Sequence, residues 1–92
     1  MARLFNIYFT HDDILHSAIV SVHTTSFFTE YILGNLDAEL KLLLPGNKVI
    51  SQPEKNLFFP DIQPEHSLLL IKAILKSINK HLHAGNDVQL EA

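Results

Sequence analysis

Six histidines are the side chains of this 92-residue chain best suited to metal binding or acid–base chemistry. Two metal ligands on one helix face need a spacing of three or four residues. His81 and His83 are two residues apart, which places them about 200° from each other around the predicted C-terminal helix. His16 and His23 are an odd number of residues apart on a predicted strand, so they point to opposite faces. Because no pair has ligand spacing, we expect no metal site and no cofactor.

Serines and paired carboxylates offer no better catalytic site. The strand-to-helix elbow G-x-S-x-G, which exposes a nucleophilic serine beside an oxyanion hole, does not occur in the sequence. Asp12 and Asp13 are adjacent in a predicted turn, whereas paired-carboxylate catalysis needs two groups across a cleft. The three glycines stand apart and form no phosphate-binding loop. The sequence therefore favours a protein that is not an enzyme.

Four residues with polar tips lie on otherwise apolar predicted strands and define a ligand-binding hypothesis. They are Tyr8, His16, His23 and Tyr31. A pocket between the sheet and the long helix would gain orientation from a few polar groups of this kind. The hypothesis requires at least two of the four side chains to converge on one cavity.

The charge balance argues against a nucleic-acid partner. Seven Lys and Arg oppose ten Asp and Glu, a net charge of −3, whereas nucleic-acid binding needs a clustered basic face. Lys72, Lys76 and Lys80 form the one basic cluster, which is typical of the solvent side of a helix. The sequence has no secretion signal, no run of about 18 apolar residues and no cysteine. We expect a cytoplasmic protein that binds neither nucleic acid nor membrane.

Alternating apolar residues predict three strands in the first part of the chain. Residues 5–9 and 14–24 form the first two, and the turn residues His11-Asp12-Asp13 between them predict a hairpin. Residues 27–33 form the third, and the pattern leaves its inward face open. The residues that compete for that face are Phe27, Tyr31 and Leu33 on one side and Phe28 and Ile32 on the other.

Two helices are predicted further along the chain. The first is leucine-rich and covers residues 36–44; Asp37 can cap it by accepting from free N–H groups of the first turn. Two short strands follow, at residues 48–51 and 57–59. The long helix begins with Pro64 in its first turn and ends near Gly85. Its apolar stripe consists of Leu68, Ile71, Leu75, Ile78 and Leu82, with Leu70 and Ile74 beside it. From this stripe we predict that Ile71, Leu75 and Ile78 are nearly fully buried.

The order β-β-β-α-β-β-α predicts an α+β fold. An antiparallel sheet, made of a three-stranded opening meander and one or two short strands, is packed by the long C-terminal helix. Residues 1–84 form a single domain, and residues 85–92 form a flexible C-terminal tail. The alternative is that the tail forms a strand that pairs with a sheet edge of the same or a second copy.

The hairpin and the first helix carry a resemblance to known proteins. The run Phe9-Thr10-His11-Asp12-Asp13-Ile14-Leu15-His16 through Val22, with Leu36-Asp37-Ala38-Glu39-Leu40 and Leu43-Leu44-Pro45, resembles small uncharacterised proteins of Bacteroides-type bacteria. Those proteins similarly carry a three-stranded opening, a short leucine-rich helix and a C-terminal helix. The resemblance covers most of residues 1–84 and implies a bacterial, cytoplasmic protein. It implies no activity and no functional residue.

The composition points to a surface that a partner covers. Apolar residues make up 47% of the chain and charged residues 18%, against about 25% charged in typical globular proteins. Leu42 and Leu69 are apolar residues that the predicted core does not use. We expect a small non-enzymatic protein–protein interaction module that self-associates, as a homodimer in the simplest case, through a sheet edge or the face beside the long helix. The alternatives are an unknown protein partner, and a small-molecule-binding protein or minor enzyme with a pocket between sheet and helix.

Overall fold

A computed structural model describes residues 3–53 and 56–91, with side chains up to Leu82. Its elements, in chain order, are β1 (Arg3–His11), β2 (Ile14–Thr24), β3 (Thr29–Gly34), α1 (Ala38–Leu42), β4 (Lys48–Ser51) and α2 (Leu68–Glu91). The predicted α+β fold, an antiparallel sheet with a long C-terminal helix, is confirmed.

The four strands form one antiparallel sheet in the order β1-β2-β3-β4, so each strand pairs with its neighbour along the chain. Alternation along each strand sorts the side chains to two faces. The inner face carries buried residues such as Ile7, Val20 and Val49, and the outer face carries their sequence neighbours.

Helix α2 covers the inner face along β1. The Ser77 hydroxyl donates a hydrogen bond of 2.8 Å to the Tyr8 carbonyl, and the His81 ring stacks on Phe5 with centroids 4.0 Å apart. The helix therefore runs antiparallel to the strand. Among the described residues, the buried core is formed by side chains of the sheet, of α2 itself and of the segments between them: Ile7, Phe9, Ala18, Val20, Val22, Tyr31, Leu33, Leu36, Leu40, Leu44, Val49, Phe59, Leu70, Ile71, Ile74 and Ile78.

The inward face of the third strand is settled by the turn that precedes it. The Thr25 hydroxyl oxygen accepts from the backbone N–H groups of Phe27 and Phe28, so both residues belong to the β2–β3 turn and Phe27 is exposed. The strand starts two residues later than predicted, at Thr29. Tyr31 and Leu33 then face inward.

The start of α2 differs from the prediction. The helix begins at Leu68 instead of near Pro64, because the Ser67 hydroxyl accepts the N–H of Leu70 at 3.2 Å and acts as the N-cap. Pro64 and Glu65 lie in the preceding turn.

The buried stripe of α2 is rotated relative to the prediction. Leu70, Ile71, Ile74 and Ile78 are buried, whereas Leu68 is exposed. The prediction that Leu75 is nearly fully buried is wrong: Leu75 is half-buried, because it borders a groove rather than the sheet. The predicted exposure of Lys72, Lys76 and Lys80 is confirmed.

The second short strand is reduced to one bridge. Ile50 and Phe58 exchange two backbone hydrogen bonds, of 2.8 and 3.1 Å. Pro60 follows two residues later, and proline has no N–H with which to extend a ladder. The segment therefore adds one paired residue to the β4 edge.

The backbone of α2 continues to Glu91 and so passes Gly85, where the sequence predicts its end. A glycine in a helix costs only about 1 kcal/mol relative to alanine and does not by itself stop the helix. The side chains of residues 83–91 lie outside the described part, and the flexibility of residues 85–92 stays a prediction.

The β1–β2 hairpin is expected to gain stability when Asp13 is replaced by glycine. Asp12 and Asp13 both have positive φ, 52° and 63°, as in a two-residue type I′ turn, which favours glycine at its second position. Relief of this conformation should raise stability by up to ~1 kcal/mol, about 4–8 °C in melting temperature. Thermal unfolding followed by circular dichroism measures the change. An unchanged or lower melting temperature would mean that the Asp13 side chain stabilises the turn.

Candidate interaction surface

Where β1 and β2 pair with each other, their outer face carries eight side chains, and none of them is charged. We call this surface the outer β1–β2 face; it consists of Leu4, Asn6, Tyr8, Thr10, Leu15, Ser17, Ile19 and Ser21. Four of them are large and exposed: Leu4 (67%), Tyr8 (63%), Leu15 (70%) and Ile19 (40%). The solvent face of an antiparallel sheet is ordinarily polar. Large apolar side chains without charges are typical of the centre of a protein interface.

The strand register arranges these eight residues as a checkerboard. The cross-strand pairs are Leu4 with Ser21, Asn6 with Ile19, Tyr8 with Ser17 and Thr10 with Leu15. Each pair joins one large apolar side chain to one small polar side chain, and the large member alternates between the two strands. The face therefore has raised and recessed positions in regular alternation.

Charges on the outer face lie at its far corner, on β2, β3 and β4. His23 Nδ1 lies 3.2 Å from one carboxylate oxygen of Glu30, and Lys48 Nζ lies 3.4 Å from the other. The hydrogen bond from His23, and then the hydrogen bond and positive charge of Lys48, lower the pKa of Glu30 from its ordinary value of 4.5. This corner is built like a polar interface rim.

Replacing Glu30 by glutamine is expected to destabilise the protein at neutral pH and to have less effect in acid. A carboxylate whose pKa is lowered by folding contributes stability above the unfolded value of 4.5 and loses it as the pH falls through the lower folded value. The melting temperatures of wild type and Glu30→Gln, measured from neutral to strongly acidic pH, should converge once the pH is below the lowered pKa of Glu30 in the folded protein. Glu39→Gln removes one exposed carboxylate from α1 and controls for net charge. A difference that does not change with pH would contradict the ion-pair role of Glu30.

Both edges of the sheet are partly occupied. At the β4 edge, the outward-facing N–H and C=O of Ile50 are hydrogen-bonded to the backbone of Phe58. At the β1 edge, Ser77 of α2 bonds the Tyr8 carbonyl, and α2 packs closely along β1. The helix therefore fills space that a second copy, with its own helix, would need to add a strand there. These contacts disfavour the predicted association through a sheet edge.

A second apolar patch lies where α1 meets α2. The backbone N–H of Ser67 donates to the Leu43 carbonyl at 2.9 Å, which ties the two helices together. Leu42 and Leu69, predicted as spare apolar residues, are both about 80% exposed at this junction. Lys41 directly precedes Leu42, and Lys72 follows Leu69 by three residues on α2, so this patch has charged neighbours that the outer β1–β2 face does not have.

The four residues of the pocket hypothesis are divided between the two faces. Tyr8 and His23 lie on the outer face, where Tyr8 belongs to the checkerboard and His23 to the charged corner. Tyr31 is buried on the inner face and makes an edge-to-face contact with Phe5, with ring centroids 6.4 Å apart.

His16 also lies on the inner face, at the hairpin end. Its ring stacks on Phe9, and its Nδ1 lies 3.5 Å from the carboxylate of Asp37. Asp37 does occupy the N-cap position of α1, as predicted, but its side chain makes no capping hydrogen bond. A cavity of about 110 Å³ there includes His16 and none of the other three pocket candidates. The structure does not bring the four residues together.

Alternation alone already separates Tyr8 from the helix side of the sheet. Tyr8 falls between Ile7 and Phe9, which both face inward. The checkerboard was not visible in the sequence, because it depends on which residue of β1 lies opposite which residue of β2.

Metal chemistry finds no support among the described residues, where no three His, Asp or Glu side chains are grouped to hold an ion. In the same part of the chain, no helix is long and apolar enough to cross a membrane. Comparisons of the chain with protein-family models, with curated proteins and with solved structures found no match.

Proposed function

We propose that the protein is a small, non-enzymatic interaction module that acts as a cytoplasmic homodimer, with the outer β1–β2 face as the contact. The observation that carries the proposal is the uncharged checkerboard of four large and four small side chains. Patches of this kind on a folded domain mark protein contacts. The partly occupied edges and the covered inner face leave the outer face as the open surface of the sheet.

A second copy fits this face because a checkerboard is complementary to itself. Two stacked sheets lie about 10 Å apart and need large side chains opposite small ones. When the second copy is rotated by 180° about an axis parallel to the strands, Ile19 faces Asn6 of that copy. When the axis instead crosses the strands in the plane between the sheets, Ile19 faces Ser17. Both rotations place every large side chain over a small one, as an isologous interface requires.

The extent of the outer face fits a small, reversible dimer contact. Strands β1 and β2 have 9 and 11 residues, and β3 and β4 have only 6 and 4. At about 3.3 Å per residue and 4.8 Å per strand, the four strands cover about 500 Å², which is below the ~800 Å² that each partner contributes to a standard interface and is typical of weak, transient contacts. The charged corner of His23, Glu30 and Lys48 would then lie at the rim.

Sedimentation equilibrium of the full chain tests the proposal. We expect twice the chain mass at high micromolar concentration and reversible dissociation on dilution. Since the proposed contact contains no ion pair at its centre, added salt should not weaken it. A strict monomer at high micromolar concentration, or a dimer that salt dissociates, would contradict the proposal.

A further inference from the structure

A groove of about 370 Å³ lies between α2 and β4, away from the outer face. We call it the α2–β4 groove; its lining residues are Ser51, Asn56, Leu57, Leu75, Lys76, Asn79 and Leu82. Its volume is within the range of small-molecule sites, about 300–1,000 Å³. It lies between sheet and helix, as the pocket hypothesis required, but with other residues.

The apolar part of the groove explains the incomplete burial of α2. Leu75 and Leu82 belong to the apolar stripe of the helix, yet both are only half-buried, and half-buried Leu57 lies across the groove from them. Three leucine side chains thus form an apolar lining that remains partly exposed in the folded chain.

The polar part of the groove favours an anion. Ser51, Asn56 and Asn79 offer hydroxyl and amide groups, and Lys76 is the one charged residue among the described residues that line the groove. A ligand with a negative head therefore gains from Lys76 and from donors beside it, while an apolar chain covers the leucines.

We propose that the α2–β4 groove binds small amphipathic anions: carboxylates that carry a short apolar chain. The head group lies at Lys76 and Asn79, and the chain lies on Leu57, Leu75 and Leu82. This site is independent of the proposed dimer contact, since it lies on the helix side of the sheet.

Titration of the ¹⁵N-labelled full chain with octanoate, followed by amide chemical shifts, tests this site. We expect saturable shifts confined to residues around 51, 56–57 and 75–82, with a Kd of about 1 mM for so small a ligand. Lys76→Gln should weaken octanoate binding about three- to fivefold. Lys72→Gln, one turn earlier on the exposed side of α2, is the matched control and should leave the affinity unchanged.

Two related probes separate the contributions of head and chain. Octylammonium, with the opposite charge, should bind more weakly than octanoate, and acetate, which lacks the chain, should give no saturable shifts. Absent or scattered shifts with octanoate, equal binding of octylammonium, or equal effects of Lys76→Gln and Lys72→Gln would each overturn the proposal.

Discussion

Replacing Ile74 by alanine is expected to lower the free energy of unfolding by about 2–5 kcal/mol. Ile74 has no exposed surface and lies between Leu70 and Ile78, which are equally buried one turn to either side. The smaller side chain loses apolar contacts and leaves a cavity in a well-packed interior. A domain of this kind has only about 5–15 kcal/mol of total stability, so the loss is a large fraction of it.

The control for Ile74→Ala is Leu75→Ala on the same helix. Leu75 is half-buried at the α2–β4 groove, so its truncation should cost only about 1–2 kcal/mol. Urea unfolding followed by circular dichroism, at one fixed protein concentration, measures both losses. A loss below ~1 kcal/mol for Ile74→Ala, or a larger loss for Leu75→Ala, would mean that α2 does not pack on the sheet as described.

Replacing Ile19 by lysine is expected to weaken dimerisation at least about 100-fold, which corresponds to ~2.7 kcal/mol. Ile19 lies near the middle of the outer β1–β2 face, with uncharged Asn6 and Gly34 as its cross-strand neighbours. In a symmetric dimer, the substitution places two ammonium groups in an interface that has no partner for either of them. The monomer should fold normally, because the position is open to solvent in a single chain.

Leu69→Lys is the matched control for Ile19→Lys. It makes the same kind of change at an exposed leucine of the second apolar patch, on α2. Sedimentation equilibrium should give a monomer for Ile19→Lys and a dimer for Leu69→Lys, with wild-type circular dichroism for both. The reverse pattern would assign the contact to the patch where α1 meets α2.

The opening meander could be predicted because its information is local. Residues 5–9 and 18–22 alternate, and each strand pairs with the next along the chain, so pattern and neighbourhood give the same answer. Helix α2 was placed less accurately. Its apolar residues fill more than one face, so spacing alone does not decide which of them the sheet buries, and the buried stripe is centred on Ile74.

The candidate surface was harder to predict than the fold. The apolar excess of the composition predicted that some surface is covered, and this expectation is now a proposal for a defined face. The sequence pointed to Leu42 and Leu69 because they lie outside helical stripes. It gave no weight to Leu4, Leu15 and Ile19, since one exposed leucine on a strand is ordinary. Their significance depends on register, which places them together.

A dilution series of amide chemical shifts tests self-association through the outer β1–β2 face residue by residue. On dilution from high to low micromolar concentration, we expect shifts in β1 and β2, strongest around Leu4, Tyr8, Leu15 and Ile19. The amides around Leu42, Leu69 and the α2–β4 groove should not change. Spectra that do not depend on concentration, or shifts confined to the α1–α2 junction, would contradict self-association through this face.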